Sequence, residues 1–525
     1  MAPYGRPRAP SGRAARESRC KGRDPAETMT SMLQAPRTPA ARISPRRTPP
    51  TWVIVALACA GQFLVVLDVS VVNVALPSMR ADLGLSAQGL QWVVNAYAIS
   101  FAGFMLLGGR AGDLYGRKRM FLVGLGLFTL ASLGGGLAQE GWHLLAARAV
   151  QGLGAAVLAP STLTILTAAV PEGAARARAI ATWTAVGAGG GAAGGLVGGV
   201  LVDGLSWRWV LLINVPIGAV VLVGAVLWLS ESRAGQRRRL DLPGALLVTA
   251  GMATLAYGIS QTESEGWSAA ATLVPLLGGL AMLALFLLVE ARTVAPLVPL
   301  ALLRLRSVGS ANVAMLVCGS AMFSMWFFMT LYAQNVLRYS PLEAGLALVP
   351  SSLAVVLGSK VAPRFMRVIG ARNLAALGTL VSAVGYGWQS TMTADGGYVT
   401  AIMIPGVLMM LGAGLAGTPL ASVATSGAAP GDAGLVSGLI NTSRTMGGSL
   451  GLAVMSTIAA TRSGGDDAGP VALTEGYALV FRTGAVVLVA GALLMWAWLP
   501  SRTTPARGTA AETGAGKAAG GPNTG

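Results

Sequence analysis

Charge is scarce in this chain. Of 525 residues only 11% are Asp, Glu, Lys or Arg, against 54% hydrophobic, and mean hydropathy is +0.63. A soluble fold of this length needs far more charge to cover its surface, so the composition excludes an ordinary soluble domain and points to a membrane protein. Histidine is nearly missing: His143 is the one copy, which removes His-rich zinc or haem chemistry. Cys20, Cys59 and Cys318 form neither a disulfide framework nor a metal-ligand spacing. Lysine occurs four times, at Lys21, Lys118, Lys360 and Lys517. None completes G-x-x-x-x-G-K-[S/T], so nothing in the chain signals the use of ATP. Carboxylates are rarest of all inside the apolar stretches, where Asp68 is the only one well away from an end.

What is abundant is apolar length. About 20 apolar residues cross a bilayer as a helix. Fourteen such stretches are marked: approximately 52–73, 89–109, 120–139, 143–169, 179–202, 208–230, 243–260, 271–290, 308–332, 343–362, 373–391, 398–420, 434–459 and 476–499. Connections are short, so neighbours are expected to be antiparallel. With the N-terminus inside, the inner connections carry seventeen Arg and Lys and the outer ones four, as the positive-inside rule requires. A miscount by one would scramble that alternation. Loss of one weak pair, such as stretches seven and eight, would preserve it, which makes twelve the fallback. Both tails are therefore expected in the cytoplasm.

The first fifty residues hold eleven Arg and Lys against three acids. They run directly into an apolar stretch, so a disordered tail at the inner leaflet is expected rather than a nucleic-acid-binding arm. No secretory signal is read, because the first apolar run begins near Trp52. Two enzyme-like patterns dissolve on inspection. Gly447-Gly448-Ser449-Leu450-Gly451 matches G-x-S-x-G in mid-stretch, with no strand and no histidine to serve it. Gly189, Gly191 and Gly194 match G-x-G-x-x-G without a preceding strand. Both read as helix packing, and no enzyme is expected.

Ordered motifs carry the functional reading. The second stretch ends in Gly109-Arg110-Ala111-Gly112-Asp113-Leu114-Tyr115-Gly116-Arg117-Lys118-Arg119. This resembles the signature loop between helices two and three of the major facilitator superfamily. Leu67-Asp68-Val69-Ser70-Val71-Val72-Asn73-Val74-Ala75-Leu76-Pro77 resembles the first-helix motif of that superfamily's fourteen-helix drug:H+ antiporter branch, drug:H+ antiporter-2. Leu145 to Ala156, with Arg148 and Gln151, is similar to its fourth-helix motif. Gly190, Gly194, Gly195, Gly198 and Gly199 resemble its fifth-helix antiporter motif, with Gly194-Gly195 where Gly-Pro is usual. Trp207-Arg208-Trp209, Ile213-Asn214-Val215-Pro216, Tyr339-Ser340-Pro341 and Asn441-Thr442-Ser443-Arg444 also look like that branch. The resemblance covers roughly residues 51–499.

It implies an all-α polytopic membrane protein with two pseudo-symmetric six-helix bundles, residues 51–230 and 308–499. Two extra helices lie in 231–307, and disordered cytoplasmic tails span 1–50 and 500–525. A partial echo of the signature loop at Gly358-Ser359-Lys360 supports the repeat, although it lacks the Asp. By resemblance, Gly109, Asp113, Gly116, Arg117, Lys118 and Arg119 form a conformational latch.

Ion coupling needs a titratable group within the bilayer, and such groups are functional candidates by default. Asp68 lies about sixteen residues from the inner end of its stretch, or ~24 Å at a rise of ~1.5 Å per residue. Arg148 lies about five residues from the outer end of the fourth stretch, at similar depth. Helices one and four are neighbours in the superfamily, so Asp68 and Arg148 are expected to meet directly or through water and to couple proton entry to export. A fixed structural pair is the rival reading.

Substrate-cavity candidates are Gln151, Asn214, Met322, Trp326, Tyr332 and Arg444. The run Met322 to Tyr332 is a candidate pocket wall, and Arg444 lies near a midplane, either toward a substrate or clamped on backbone carbonyls. Helix ten holds no deep acid such as some dication-exporting relatives carry, which favours neutral, anionic or monocationic substrates. The expected function is proton-driven export of small hydrophobic or amphipathic drugs or antibiotics across the cytoplasmic membrane. An exporter of one endogenous natural product and a metabolite importer or facilitator are the alternatives. No cofactor is expected beyond the proton gradient, and the chain is expected to be a monomer.

Overall fold

The computed structural model describes residues 50–500 except 233–239, 294, 427, 429–431 and 464–468. The tails and the inner-loop arginines Arg237, Arg238 and Arg239 thus lie outside the described residues. Those described form α-helices with short joints and two π-helical turns, and they include no strand.

Fourteen helices of 19 residues or more follow one another among the described residues, one on each predicted stretch. They are α1 (Thr51–Leu83), α2 (Ala87–Tyr115), α3 (Arg117–Gly136), α4 (Gly141–Ala169), α5 (Ala174–Gly204), α6 (Arg208–Trp228), α7 (Leu242–Glu265), α8 (Ala270–Arg292), α9 (Arg306–Leu331), α10 (Pro341–Ile369), α11 (Ala371–Gln389), α12 (Val399–Ser426), α13 (Ala433–Ser463) and α14 (Pro470–Trp498). Twelve are long and apolar enough to cross a membrane. The other two are α11, which opens on Arg372 and Asn373, and α13, which carries Asn441 to Arg444 along its length. Length and apolarity alone therefore carry twelve crossings, not the expected fourteen.

Local chemistry sets the ends. Gly84 closes α1 in the left-handed region at φ 61°, which costs glycine no Cβ clash. Ser86 caps α2 by accepting from the Gly89 N–H at 3.0 Å. Ser340 and Glu343 form a reciprocal capping box ahead of Pro341. Helix α6 breaks at Ile213 because Pro216 has no N–H to return to the preceding turn.

One packing pattern occurs twice. Helix α1 packs on α4 and α5, α4 on α2 and α3, and α3 on α6. In the same way α9 packs on α12 and α13, α12 on α10 and α11, and α11 on α14. Close helix approach is enforced at equivalent places. A Cβ on Gly154 would lie 2.6 Å from the Phe128 backbone nitrogen, and one on Gly378 would lie 2.7 Å from that of Ala416. The two sets meet where α2 touches α13 and α5 touches α10. Helices α7 and α8 pair with each other, and α7 leans on both α2 and α13.

Overpacking such a seam costs about 1–3 kcal/mol or more. Gly154→Val should therefore lower the melting temperature and membrane yield of the purified protein. Gly134→Val, at a position with open space around the missing Cβ, should leave both near wild type.

Candidate functional site

Asp68 is fully buried in α1, and Arg148 of α4 is 2% exposed. One Arg148 Nη1 meets Asp68 Oδ2 at 2.6 Å, so the expected contact is direct. The other carboxylate oxygen accepts from Gln151 Nε2 at 2.7 Å and from Asn214 Nδ2 at 3.0 Å. Arg148 also donates to Gln151 Oε1 at 2.7 Å and to the Val93 carbonyl at 3.1 Å, and stacks 4.4 Å above the Tyr97 ring. Ser132 accepts from Gln151 at 2.8 Å and donates its hydroxyl to the Phe128 carbonyl at 2.8 Å.

Five helices, α1, α2, α3, α4 and α6, thus contribute to one network around Asp68 and Arg148. Coulomb attraction strengthens in a low-dielectric interior, and each lone pair of the carboxylate that is satisfied lowers the cost of burying it. The network is saturated at Asp68 but open at its edge. Both side-chain atoms of fully buried Asn95, the Tyr97 hydroxyl and Asn214 Oδ1 have no protein partner. Those are groups that a water molecule can satisfy.

Sequence reasoning placed Gln151 and Asn214 among cavity-lining residues. The structure places both inside the Asp68 cluster. It also brings in Ser132, which no motif marked and which only the fold could bring to Asp68.

The glycines of α5 divide into two rows. Gly190, Gly194 and Gly198 face α1, where a Cβ would collide with Phe63, Ser70 and Val71. Ser70 donates to the Gly191 carbonyl at 2.8 Å. Gly195 and Gly199 face α10, against Gly345, Pro341 and Leu342. Helix α5 is therefore a strip held between the helix bearing Asp68 and the other half of the molecule. The Leu342 N–H reaches Asp203 at the same end, at 3.1 Å.

The expected latch is a joint between α2, α3 and α6. Gly116 turns the chain at φ 109°, a region open to glycine. Asp113 pairs with Arg117 at 3.6 Å. Lys118 Nζ caps the end of α6 through the Val226 and Leu229 carbonyls at 2.8 and 2.7 Å. Glu231, just beyond α6, returns the favour by accepting the backbone N–H groups of Lys118 and Arg119, each at 3.2 Å. Cation at a helix C-terminus and anion at a helix N-terminus each suit the local dipole. Gly109 packs near Pro160 of α4. Arg110 holds the Ala295, Pro296 and Leu297 carbonyls beyond α8, and buried Glu290 takes the Leu297 and Val298 N–H groups of that segment. Glu231 and Glu290 escaped sequence reasoning. The signal for Glu231 was present, since it is a lone acid at the head of an arginine-rich connection.

In the second half, α9, α11, α12 and α14 surround a narrow, mostly apolar void lined by residues including Met322, Met325, Met409, Met410 and Cys318. Met322 is among its lining residues. Trp326 is partly buried against the apolar core, and Tyr332 is buried at a π-helical turn with its hydroxyl on the Thr393 carbonyl at 2.7 Å. Arg444, half-buried on α13, donates to Asn441 at 2.5 Å. The carbonyl clamp considered from sequence is not found for its guanidinium among the described residues.

A profile of the Major Facilitator Superfamily matches residues 58–452. The chain is 49% identical to a cephamycin export protein of Amycolatopsis lactamdurans, covering 89% of this chain and 95% of that one. It is 37% identical to a puromycin resistance protein of Streptomyces alboniger, covering 87% and 93%. Among solved structures it superposes on a bacterial homolog of the human lysosomal transporter Spinster at a TM-score of 0.60 with 18% identity, covering 86% of this chain and 97% of that one. At that identity the likeness shows the fold alone.

Removing the acceptor that caps α3 should loosen the joint by about 1 kcal/mol. In the Glu231→Ala protein, the amides of Lys118 and Arg119 should exchange hydrogen faster than in wild type, with α10 to α12 unchanged. Equal exchange would mean that water replaces the carboxylate without loss.

Proposed function

The chain belongs to the Major Facilitator Superfamily and is a transporter, not an enzyme; within that family we propose that it exports small hydrophobic or amphipathic drugs or antibiotics across the cytoplasmic membrane in exchange for protons. Relatives named for cephamycin export, puromycin resistance and lincomycin resistance support the direction and the cargo class. Each is named for one antibiotic, which also favours the second reading, an exporter dedicated to one natural product.

The observation that carries proton exchange is the Asp68 cluster. Ionised, Asp68 binds Arg148, and α1 is drawn to α4. A proton arriving from outside neutralises the carboxylate and removes the Coulomb term, leaving Arg148 with Gln151, the Val93 carbonyl and the Tyr97 ring. Helix α1 is then free to shift relative to α4. Since α5 is fitted to α1 on one face and to α10 on the other, the shift reaches the contact between the halves. Opening there releases cargo outward, and proton loss inward restores the pair. The joint at Gly116, Lys118 and Glu231 holds α2, α3 and α6 together while the halves move. The proton gradient supplies the energy.

The doubled packing pattern supports two six-helix bundles, 51–230 and 308–499, with α7 and α8 as an added pair between them. We read α11 and α13 as crossing too, giving fourteen crossings and cytoplasmic termini. Many of their polar residues, among them Thr379, Ser382, Thr445 and Ser449, are buried against neighbouring helices, while α11 keeps an exposed apolar face at Leu377, Leu380 and Val384. The unit that works is taken as a monomer.

In reconstituted vesicles, adding a transported antibiotic should drive proton movement with wild type and none with Asp68→Asn, although the variant reaches the membrane folded. Undiminished proton-coupled efflux by Asp68→Asn would refute the coupling role. In a variant lacking the native cysteines, Gly266→Cys, between α7 and α8, should be labelled by an impermeant maleimide from outside intact cells. Labelling only after lysis would remove the added pair from the span count.

A further inference from the structure

Among the described residues, Arg444 of α13 is a half-buried charge with no acid paired to it. A bare guanidinium deep in a bilayer is costly and persists where a partner or an aqueous cavity receives it. Elsewhere among the described residues Arg148 is paired with Asp68, Glu290 accepts from two backbone N–H groups, and Arg372, whose Nε is likewise enclosed without a hydrogen bond, lies over the Trp496 ring. Arg482 is exposed on α14. For Arg444, the one hydrogen bond among the described residues runs from Nη2 to Asn441, and Nε is enclosed with no partner at all.

Its surroundings are neutral. Asn441 approaches the Met105 sulfur of α2 at 3.1 Å, and Ser443 is committed to Asn312 of α9 at 2.8 Å. Gly319 of α9 lies against the Arg444 carbonyl, where any Cβ would collide. The backbone of Arg444 is thus clamped at the seam of α13, α9 and α2, where the two halves meet, and Asn441 one turn earlier steers the guanidinium. The donors left over are those that match a carboxylate two-pronged.

We propose that Arg444 is the anion-binding residue of the substrate site, and that the compounds exported best carry a carboxylate that pairs with it. This rests on the export reading and adds the charge of the cargo to it. Asn441 serves as a positioning residue, and the Met105 side chain offers adaptable apolar contact beside the charge.

The test is vesicle efflux of a cephalosporin free acid, its methyl ester and puromycin. With wild type the acid should leave at least about tenfold faster than the ester at equal low concentration. Arg444→Gln should bring the acid-to-ester ratio close to one, and Arg444→Lys, which keeps charge but loses the fork, should fall between. Melting temperature and membrane yield report folding of each variant; should Arg444→Gln fail to fold, the wild-type acid-to-ester ratio and Arg444→Lys decide. Equal export of acid and ester by wild type, or a ratio unchanged in Arg444→Gln, overturns the proposal while leaving export intact. Failure of wild type to move any of the three compounds overturns the export reading and this proposal with it.

Discussion

The attraction between Asp68 and Arg148 is the constraint from which the first half of the molecule is organised. Neither side chain can be buried alone, because an unpaired ion in a low-dielectric interior costs several kcal/mol. Together they still need their remaining hydrogen-bonding capacity filled, and that demand recruits Gln151 and Asn214 directly and Ser132 through them. Asn214 in turn sits where Pro216 breaks α6, so the break turns an amide toward the carboxylate. The glycine row of α5 then brings a helix with no member in the cluster into close register with α1. One electrostatic requirement thereby sets the arrangement of all six helices.

The second half repeats the packing without repeating the chemistry. The four helices equivalent to α1, α3, α4 and α6 are α9, α11, α12 and α14. Where the former enclose the polar cluster, the latter pack methionines around a narrow apolar void. Flexible thioethers adapt to varied shapes, whereas a saturated ion pair does not. The molecule thus divides its labour, with a rigid charged interior in one half and a soft apolar one in the other. The cation at Arg444 stands at the seam between them.

Much of this was legible from residue order. Helix positions followed from apolar length, because a bilayer permits few alternatives to a helix. The meeting of Asp68 and Arg148 followed from depth and from helices one and four being neighbours. Cross-chain partners were less legible. Glu231 lies 112 residues from Arg119, and Ser132 lies 82 from Asn214; nothing in local sequence announces such pairs. Gln151 and Asn214 read as cavity residues because a polar side chain in an apolar stretch looks the same whether it awaits a ligand or serves a neighbouring carboxylate. Length and apolarity stop at twelve crossings because α11 and α13 carry polar residues, many of them buried against protein rather than exposed. Hydropathy averages over faces and cannot tell the two apart.

The 80 residues separating Asp68 from Arg148 also bear on how the protein is made. A ribosome adding about 5–20 residues per second leaves roughly 4–16 s between the two. Through that interval α1 sits at the insertion machinery with its aspartate unanswered, a cost of about 2.5–3.5 kcal/mol at a helix centre. The long apolar flanks of α1 absorb that cost until α4 arrives, and Asn214 closes the site only once α6 emerges. The helix that carries Asp68 therefore precedes the rest of its cluster in synthesis and is among the last of this half to be finished, which ties the assembly of these helices together.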